Sequence, residues 1–311
     1  MSVARGGASA PAKKKKSGKR FWQTENFQGY MFMIPTLIGL PLFCIYPLVT
    51  SLYCAFCDWD GINAPVWKGI KNFRFILVRD PVFKQSLLRT MEYALINVPV
   101  MLVLGLALAV LLNKKLRGIK IFRVLYYLPT IIPGVATLVL WQFIFKSDTG
   151  LLNGILRQIG FSAVGWLTDE RVVLFSLSII RWWTVGGAMM VFLSGLQSVP
   201  SELYEAADLD GAGGWDKFRH VTIPMITPIL SLQLITGLIG GLQAFNEASI
   251  MTDGGPNYAS HFINYDIYMT AFNSSKYGRA CAEAWILFII IAILTIIVFK
   301  STDAYVYYEN E

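Results

Sequence analysis

The chain has 311 residues, of which 55% are hydrophobic and only 15% charged, and its mean hydropathy is +0.51. Soluble domains carry about 25% charged residues, so this composition excludes an ordinary soluble enzyme and points to an integral membrane protein. The net charge of +7 is concentrated at the start, in Arg5, Lys13, Lys14, Lys15, Lys16, Lys19 and Arg20.

Residues 1–28 read as a disordered basic cytoplasmic tail, because Ala, Gly, Ser, Pro and Lys cannot bury enough apolar surface to order it. Its charge suits anionic lipid headgroups and a positive-inside anchor. One basic tail on a membrane chain does not make a nucleic-acid site. The apolar run that follows is too long for a signal peptide and has no clear cleavage site. It reads as an uncleaved first span.

A spanning helix needs about 20 mainly apolar residues. Six such spans are expected, roughly Tyr30–Phe56, Ser86–Leu112, Val124–Phe145, Val172–Leu196, Ile223–Met251 and Cys281–Lys300. Cys54 and Cys57 form a lone C-x-x-C near the end of the first span. Without a second Cys or His pair they read as apolar thiols, not a metal site. The short loop Asn113–Arg123 holds Lys114, Lys115, Arg117, Lys120 and Arg123. The loop before it, Cys57–Gln85, is longer and less densely basic. Both termini are therefore expected in the cytoplasm, with residues 301–311 as a C-terminal tail.

Prolines recur in the spans: Pro35, Pro41 and Pro47, then Pro99, Pro129 and Pro133, then Pro224 and Pro228. Lipid cannot satisfy the backbone groups that proline frees, so a bundle with an internal path fits better than independent anchors. Gly237, Gly240, Gly241 and Ala244 would allow close approach of a helix or of a ligand. Arg181 lies nine residues into its span. A mid-bilayer arginine costs roughly 2.5–3.5 kcal/mol, so it needs a partner such as Glu247 or Glu92, or a wet cavity. No G-x-x-x-x-G-K-[ST] loop, no H-E-x-x-H and only two histidines are present. The chain is not expected to be an enzyme, to bind a metal or to hydrolyse a nucleotide itself.

Between the fourth and fifth spans lies "YEAADLDGAGGWDKFRHVTIPMITP", Tyr204–Pro228. Ser201 is placed to cap a helix after Pro200, and Glu202 and Glu205 favour its positive end. Gly211 is a left-handed terminator. Gly213 and Gly214 allow a redirection, and Trp215–His220 a second short turn. Leu209, Trp215 and Phe218 then stand as apolar knobs among Glu205, Asp208, Asp210, Asp216, Lys217 and Arg219. That pattern suits a protein interface. An ordinary solvated loop on headgroups is the plainer alternative.

Glu205-Ala206-Ala207, then Gly211, then Val221-Thr222-Ile223-Pro224 closely resemble the EAA loop of binding-protein-dependent ABC importer permeases. The departures are Val221 for Ile and Ile223 for Leu. "GYMFMIPTLIGLPLFCIYPLVTSLYCAFCDWDG", "FRVLYYLPTIIPGVATLVLWQFIF", "GLLNGIL" and "FLSGLQSVPSELYEAADLDGA" are similar to the sugar-type permeases of the maltose and glycerol-phosphate group. "MTDGGP" (Met251–Pro256) is similar to the first of their two paired subunits.

The resemblance implies an all-α membrane protein, a six-helix type I ABC importer permease over 29–300 in a prokaryotic inner membrane, with its coupling loop at 197–222. It implies ATPase-coupling residues Glu205, Ala206, Ala207, Asp210, Gly211, Trp215, Phe218 and Pro224. It also implies a second homologous permease, two ABC ATPase subunits that hold ATP and Mg, and an extracytoplasmic solute-binding protein; the chain itself needs no cofactor. Relatives line their pocket from the spans before and after the coupling loop. Here that points to Arg181, Trp182, Trp183, Thr184, Gly237, Gly240, Gly241, Gln243, Ala244 and Asn246. Aromatic faces and fixed amides suit a saccharide, although the tryptophans would serve equally as packing. Arg181 would suit a uronate or phosphate group if it is not ion-paired. A secondary transporter is the alternative function, but it would normally carry intramembrane acids and a broken-helix repeat. A scaffold without transport fits the proline-rich spans poorly.

Overall fold

The computed structural model describes residues 25–114 and 117–303. The basic stretch Arg5–Arg20, Lys115 and most of the tail expected over 301–311 lie outside the described residues. The chain divides into two units, Met1–Ser51 and Leu52–Glu311.

In the first unit α1 (Glu25–Leu40) contains Pro35 and leads into a wide π-type turn, Pro41–Ile45. Pro41 heads that turn. A residue without an N–H loosens the regular ladder at that point, and the Tyr46 N–H reaches the Pro41 carbonyl instead. α2 (Tyr46–Ala55) continues into the second unit. Gly29–Ala55 is long and apolar enough to cross a membrane.

The second unit begins with a short hairpin in which β1 (Cys57–Asp58) pairs antiparallel with β2 (Val66–Trp67), Cys57 opposite Trp67. In its loop the Asp60 carboxylate accepts hydrogen bonds from the Asn63 and Ile62 backbone N–H groups and from Asn63 Nδ2. These donors hold the carboxyl below its ordinary range. Cys54 and Cys57 are buried and free. α3 (Lys71–Arg74) and a further wide turn, Phe75–Arg79, lead to α4 (Pro81–Leu112). Asp80 caps α4 by accepting from the Val82 and Phe83 N–H groups at 3.0 and 3.2 Å, and Pro81 fills the first helical position, where no N–H is missed. At its other end the Leu112 carbonyl accepts from Arg123 Nε and Nη2.

Arg123 belongs to α5 (Ile119–Ile131). α5 and α6 (Gly134–Ile144) meet at 96°, so the span expected over Val124–Phe145 is sharply bent in its middle. The cause is local. Pro133 forces its predecessor Ile132 out of helical geometry, to ψ 134°. After α7 (Leu151–Gln158), α8 (Val173–Trp183) and α9 (Gly186–Ser198) form a second bent pair, at 46°. α10 (Ser201–Leu209) and α11 (Gly214–Lys217) follow, the latter prolonged through a π-type turn, Phe218–Thr222, to α12 (Ile223–Met225). α13 (Thr227–Leu242) departs at 66° from that arm. It ends well before Met251, the expected end of the fifth span; a wide turn, Ala248–Thr252, stands there instead. α14 (Ile263–Tyr268) and α15 (Tyr277–Asp303) complete the chain. Among the described residues three helices are long and apolar enough to cross a membrane and, with each bent pair counted as one crossing, the spans number up to six.

α4 is the spine of this unit. Phe83, Tyr93 and Ala109, all on α4, enter three separate buried clusters: with Ala55 and Ile286, with Leu177 and Phe262, and with Phe192 and Ile226. Hydrogen bonds reinforce the packing. Asn97 Nδ2 donates to Ser178 Oγ on α8 at 2.9 Å, and Thr90 Oγ1 accepts the Ile263 N–H at the head of α14. Gly241 of α13 sits so close to α4 that an added Cβ would stand 3.1 Å from the Ala94 methyl. Small residues at such crossings are what membrane helices use to approach closely.

Candidate functional site: a polar cavity and a surface helix pair

A cavity of about 540 Å³ opens between α4, α5, α6, α8, α9 and α13. This is within the usual size of a small-molecule site, about 300–1,000 Å³. α4 supplies Tyr93 and Asn97, α6 supplies Thr137, and α13 supplies Gln233 and Thr236. Arg181 comes from the last turn of α8, with Asn246 and Glu247 from the segment after α13.

Several polar atoms in its walls lack a partner. Asn97 Oδ1 and Thr137 Oγ1 are buried without a hydrogen-bond partner, although Asn97 Nδ2 is fully used. The Tyr93 hydroxyl is likewise buried without a partner, and Arg181 and Glu247 line the same cavity. Among the described residues Arg181 makes no ion pair, and Glu92 pairs with Arg89 at 2.8 Å. Arg181 therefore uses the cavity rather than Glu92 to remain solvated.

The sequence-expected pathway residues divide. Arg181, Thr184, Gly237, Gly241 and Asn246 line the cavity. Gly240 borders it, since a Cβ there would lie 3.5 Å from Arg181 Nη2. Trp182 packs edge-on against Phe175, and Trp183 against Trp141. Gln243 is exposed, and its carbonyl accepts from Asn264 Nδ2. Ala244 is buried in the cluster around Tyr93, Leu177 and Phe262. Tyr93, Asn97, Thr137, Gln233, Thr236 and Glu247 were not expected there. An asparagine amid "MEYALINVPVMLV" is the one signal that could have found α4.

The second feature is the pair α10 and α11. Pro200, not Ser201, occupies the cap of α10, and no side chain bonds its first N–H groups. The far end closes as a Schellman motif: Ala212 N–H donates to the Ala207 carbonyl and Gly211 N–H to that of Asp208, with Gly211 at φ +77°. Asp216 Oδ2 accepts the Gly213 N–H, starting α11. Lys217 and Asp208 form an ion pair between the two helices, and the Trp215 and Phe218 rings lie 5.5 Å apart. Glu205, Ala206, Asp210 and Gly211 are exposed, Ala207 and Pro224 partly so. Leu209 and Trp215 are 91% and 70% exposed. Apolar side chains so placed in a charged rim form a compact candidate docking face.

Comparison with known proteins agrees with this architecture. The chain is 35% identical over 309 residues to the probable ABC transporter permease protein YesP of Bacillus subtilis, covering 98% of this chain and 99% of the relative. It is 32% identical to the probable starch degradation products transport system permease protein AmyD of Thermoanaerobacterium thermosulfurigenes, covering 86% and 91% of the two chains. Its fold matches the crystal structure of a bacterial ABC transporter involved in the import of the acidic polysaccharide alginate, with TM-score 0.80 and 21% identity over 90% of this chain and 96% of the other. Residues 101–308 match the family described as binding-protein-dependent transport system inner membrane component. The chain is a non-catalytic membrane subunit of that family, with the type I ABC importer permease fold.

Proposed function

We propose that this chain forms half of the translocation pathway of an ATP-driven carbohydrate importer, with an oligosaccharide as cargo. The observation that carries the reading is the cavity: amide, hydroxyl and guanidinium side chains converge on one space about 540 Å³ in volume. Sugars need such fixed donors and acceptors. The starch-product relative supports the same class of cargo.

The pair α10–α11 is the coupling element, seated in an ATPase subunit by Leu209, Trp215 and Phe218. Its exposed apolar knobs and the EAA spacing support this role. The working complex holds this chain, a second homologous permease and two ATPase subunits, with ATP and Mg held by the latter. An extracytoplasmic solute-binding protein delivers the cargo. The basic residues near the start of the sequence, together with an even number of spans, support a reading with both termini on the cytoplasmic face of a prokaryotic inner membrane.

A second reading, an acidic saccharide bearing a uronate or phosphate, is favoured by Arg181, which faces the cavity with no ion-pair partner among the described residues.

The test is reconstitution of the co-purified complex in liposomes, followed by uptake of starch-derived oligosaccharides. ATP-dependent uptake is the expected result. Uptake driven by an ion gradient without ATP would establish a secondary transporter instead.

A further inference from the structure

Glu247 is the one carboxylate on the cavity wall among the described residues, and Arg181 the one guanidinium. Both line the same cavity, yet they do not approach each other to ion-pair distance. Each therefore keeps hydrogen-bonding capacity for a third group. A guanidinium only donates and a carboxylate only accepts. A sugar hydroxyl does both, so adjacent hydroxyls on one ring can receive from Arg181 and give to Glu247 at once.

An acidic saccharide fares differently. Its carboxylate meets both the Arg181 guanidinium and the Glu247 carboxylate on the same wall, so attraction to one is opposed by repulsion from the other. To this is added the cost of stripping water from an anion.

We infer that Glu247 is a specificity-determining residue that reserves the cavity for uncharged, hydroxyl-rich saccharides and excludes acidic ones. The inference rests on the carbohydrate reading above and decides its charge class.

Direct binding to the assembled complex in nanodiscs tests it, without the solute-binding protein, whose own selectivity would mask the result. The probes are neutral di- to tetrasaccharides and the same sugars with one primary alcohol oxidised to a carboxylate. Wild type should bind at least one neutral member about tenfold or more tighter than its acidic counterpart, the worth of one charge-assisted contact. Glu247→Gln should weaken the neutral sugar, strengthen the acidic one and so narrow or reverse that ratio. Arg181→Gln, which leaves Glu247 unopposed, should widen it. A wild type that prefers the acidic member, or a Glu247→Gln complex that assembles and keeps the wild-type ratio within twofold, overturns the inference while leaving carbohydrate transport standing. Binding of no saccharide by any form overturns the carbohydrate reading and the inference with it.

Discussion

The hydroxyls of Tyr204 and Thr222 lie 3.0 Å apart, joining α10 to the foot of the arm that leads into α13. Thr222 also donates to the Lys217 carbonyl, which leaves Tyr204 as the donor of the pair. If α10 is the coupling element, this bond and the Lys217–Asp208 ion pair link it to the arm that leads into α13, one wall of the cavity. Tyr204→Phe removes that bond and keeps the ring, at a cost of about 0.5–1.5 kcal/mol. The complex should still assemble. Uptake per ATP hydrolysed should fall, as measured by simultaneous ATPase and transport assays in liposomes.

Gly211 offers a sharper test of the same element. An added Cβ would meet nothing within 4 Å, but its φ of +77° disfavours any L side chain. Gly211→Ala should then cost only about 1–2 kcal/mol, through backbone strain alone. Gly211→Leu should cost about the same and add bulk to the proposed docking face. Membrane levels should stay near wild type for both. Leu should reduce recovery of the ATPase in a pull-down much more than Ala.

Removing Arg181 should disturb folding little. Truncating one partner of a buried ion pair typically costs about 3–5 kcal/mol, but Arg181 makes no such pair among the described residues. Arg181→Gln should therefore lower the unfolding temperature of the complex by no more than about 1 kcal/mol of stability would predict, measured by thermal scanning in detergent. A collapse in stability would mean that Glu247 was its structural partner.

Asp80 should behave in the opposite way. It caps α4 with two accepted hydrogen bonds and lies 3.9 Å from Arg279 on α15. Asp80→Ala should destabilise the unit by about 0.5–2 kcal/mol. Asp80→Asn, which keeps the cap oxygen, should recover most of that loss.

The partner composition is testable directly. Purification of the complex should yield this chain with a second, different permease and two ATPase subunits. A transport-competent homodimer would overturn the heteromeric arrangement.

The spans were legible in the sequence because apolar runs of this length have few other uses. Pro133 and Pro228 marked disturbed helices, but a proline does not give the direction or size of a bend, and 96° at Ile132 needed the structure. Gly211 was readable for a local reason: only its own backbone decides the turn. Ser201 was misread as a cap because propensity names a residue type and not the geometry that Pro200 imposes. The cavity was half legible. Arg181 stood out by its cost in lipid, whereas Tyr93, Thr137 and Glu247 matter only because α4, α6 and the segment after α13 converge. Trp182 and Trp183 looked suitable by residue type, yet the cavity lining does not include them.

The 32 residues of α4 have a consequence for the surrounding lipid. At 1.5 Å per residue the helix is about 48 Å long, against a hydrocarbon core of about 30 Å. An ordinary tilt of about 20° absorbs only a small part of that excess. With the end bearing Lys84, Gln85, Arg89 and Glu92 in the headgroup layer, the remaining stretch Tyr93–Leu112 is about 30 Å long and matches that core, and Asn97 lies one turn inside its N-terminal edge. A thicker membrane would draw that charged turn toward hydrocarbon and force α4 upright. Because α4 holds the cavity wall and contributes to three buried clusters, bilayer thickness becomes a variable to which cargo binding should respond.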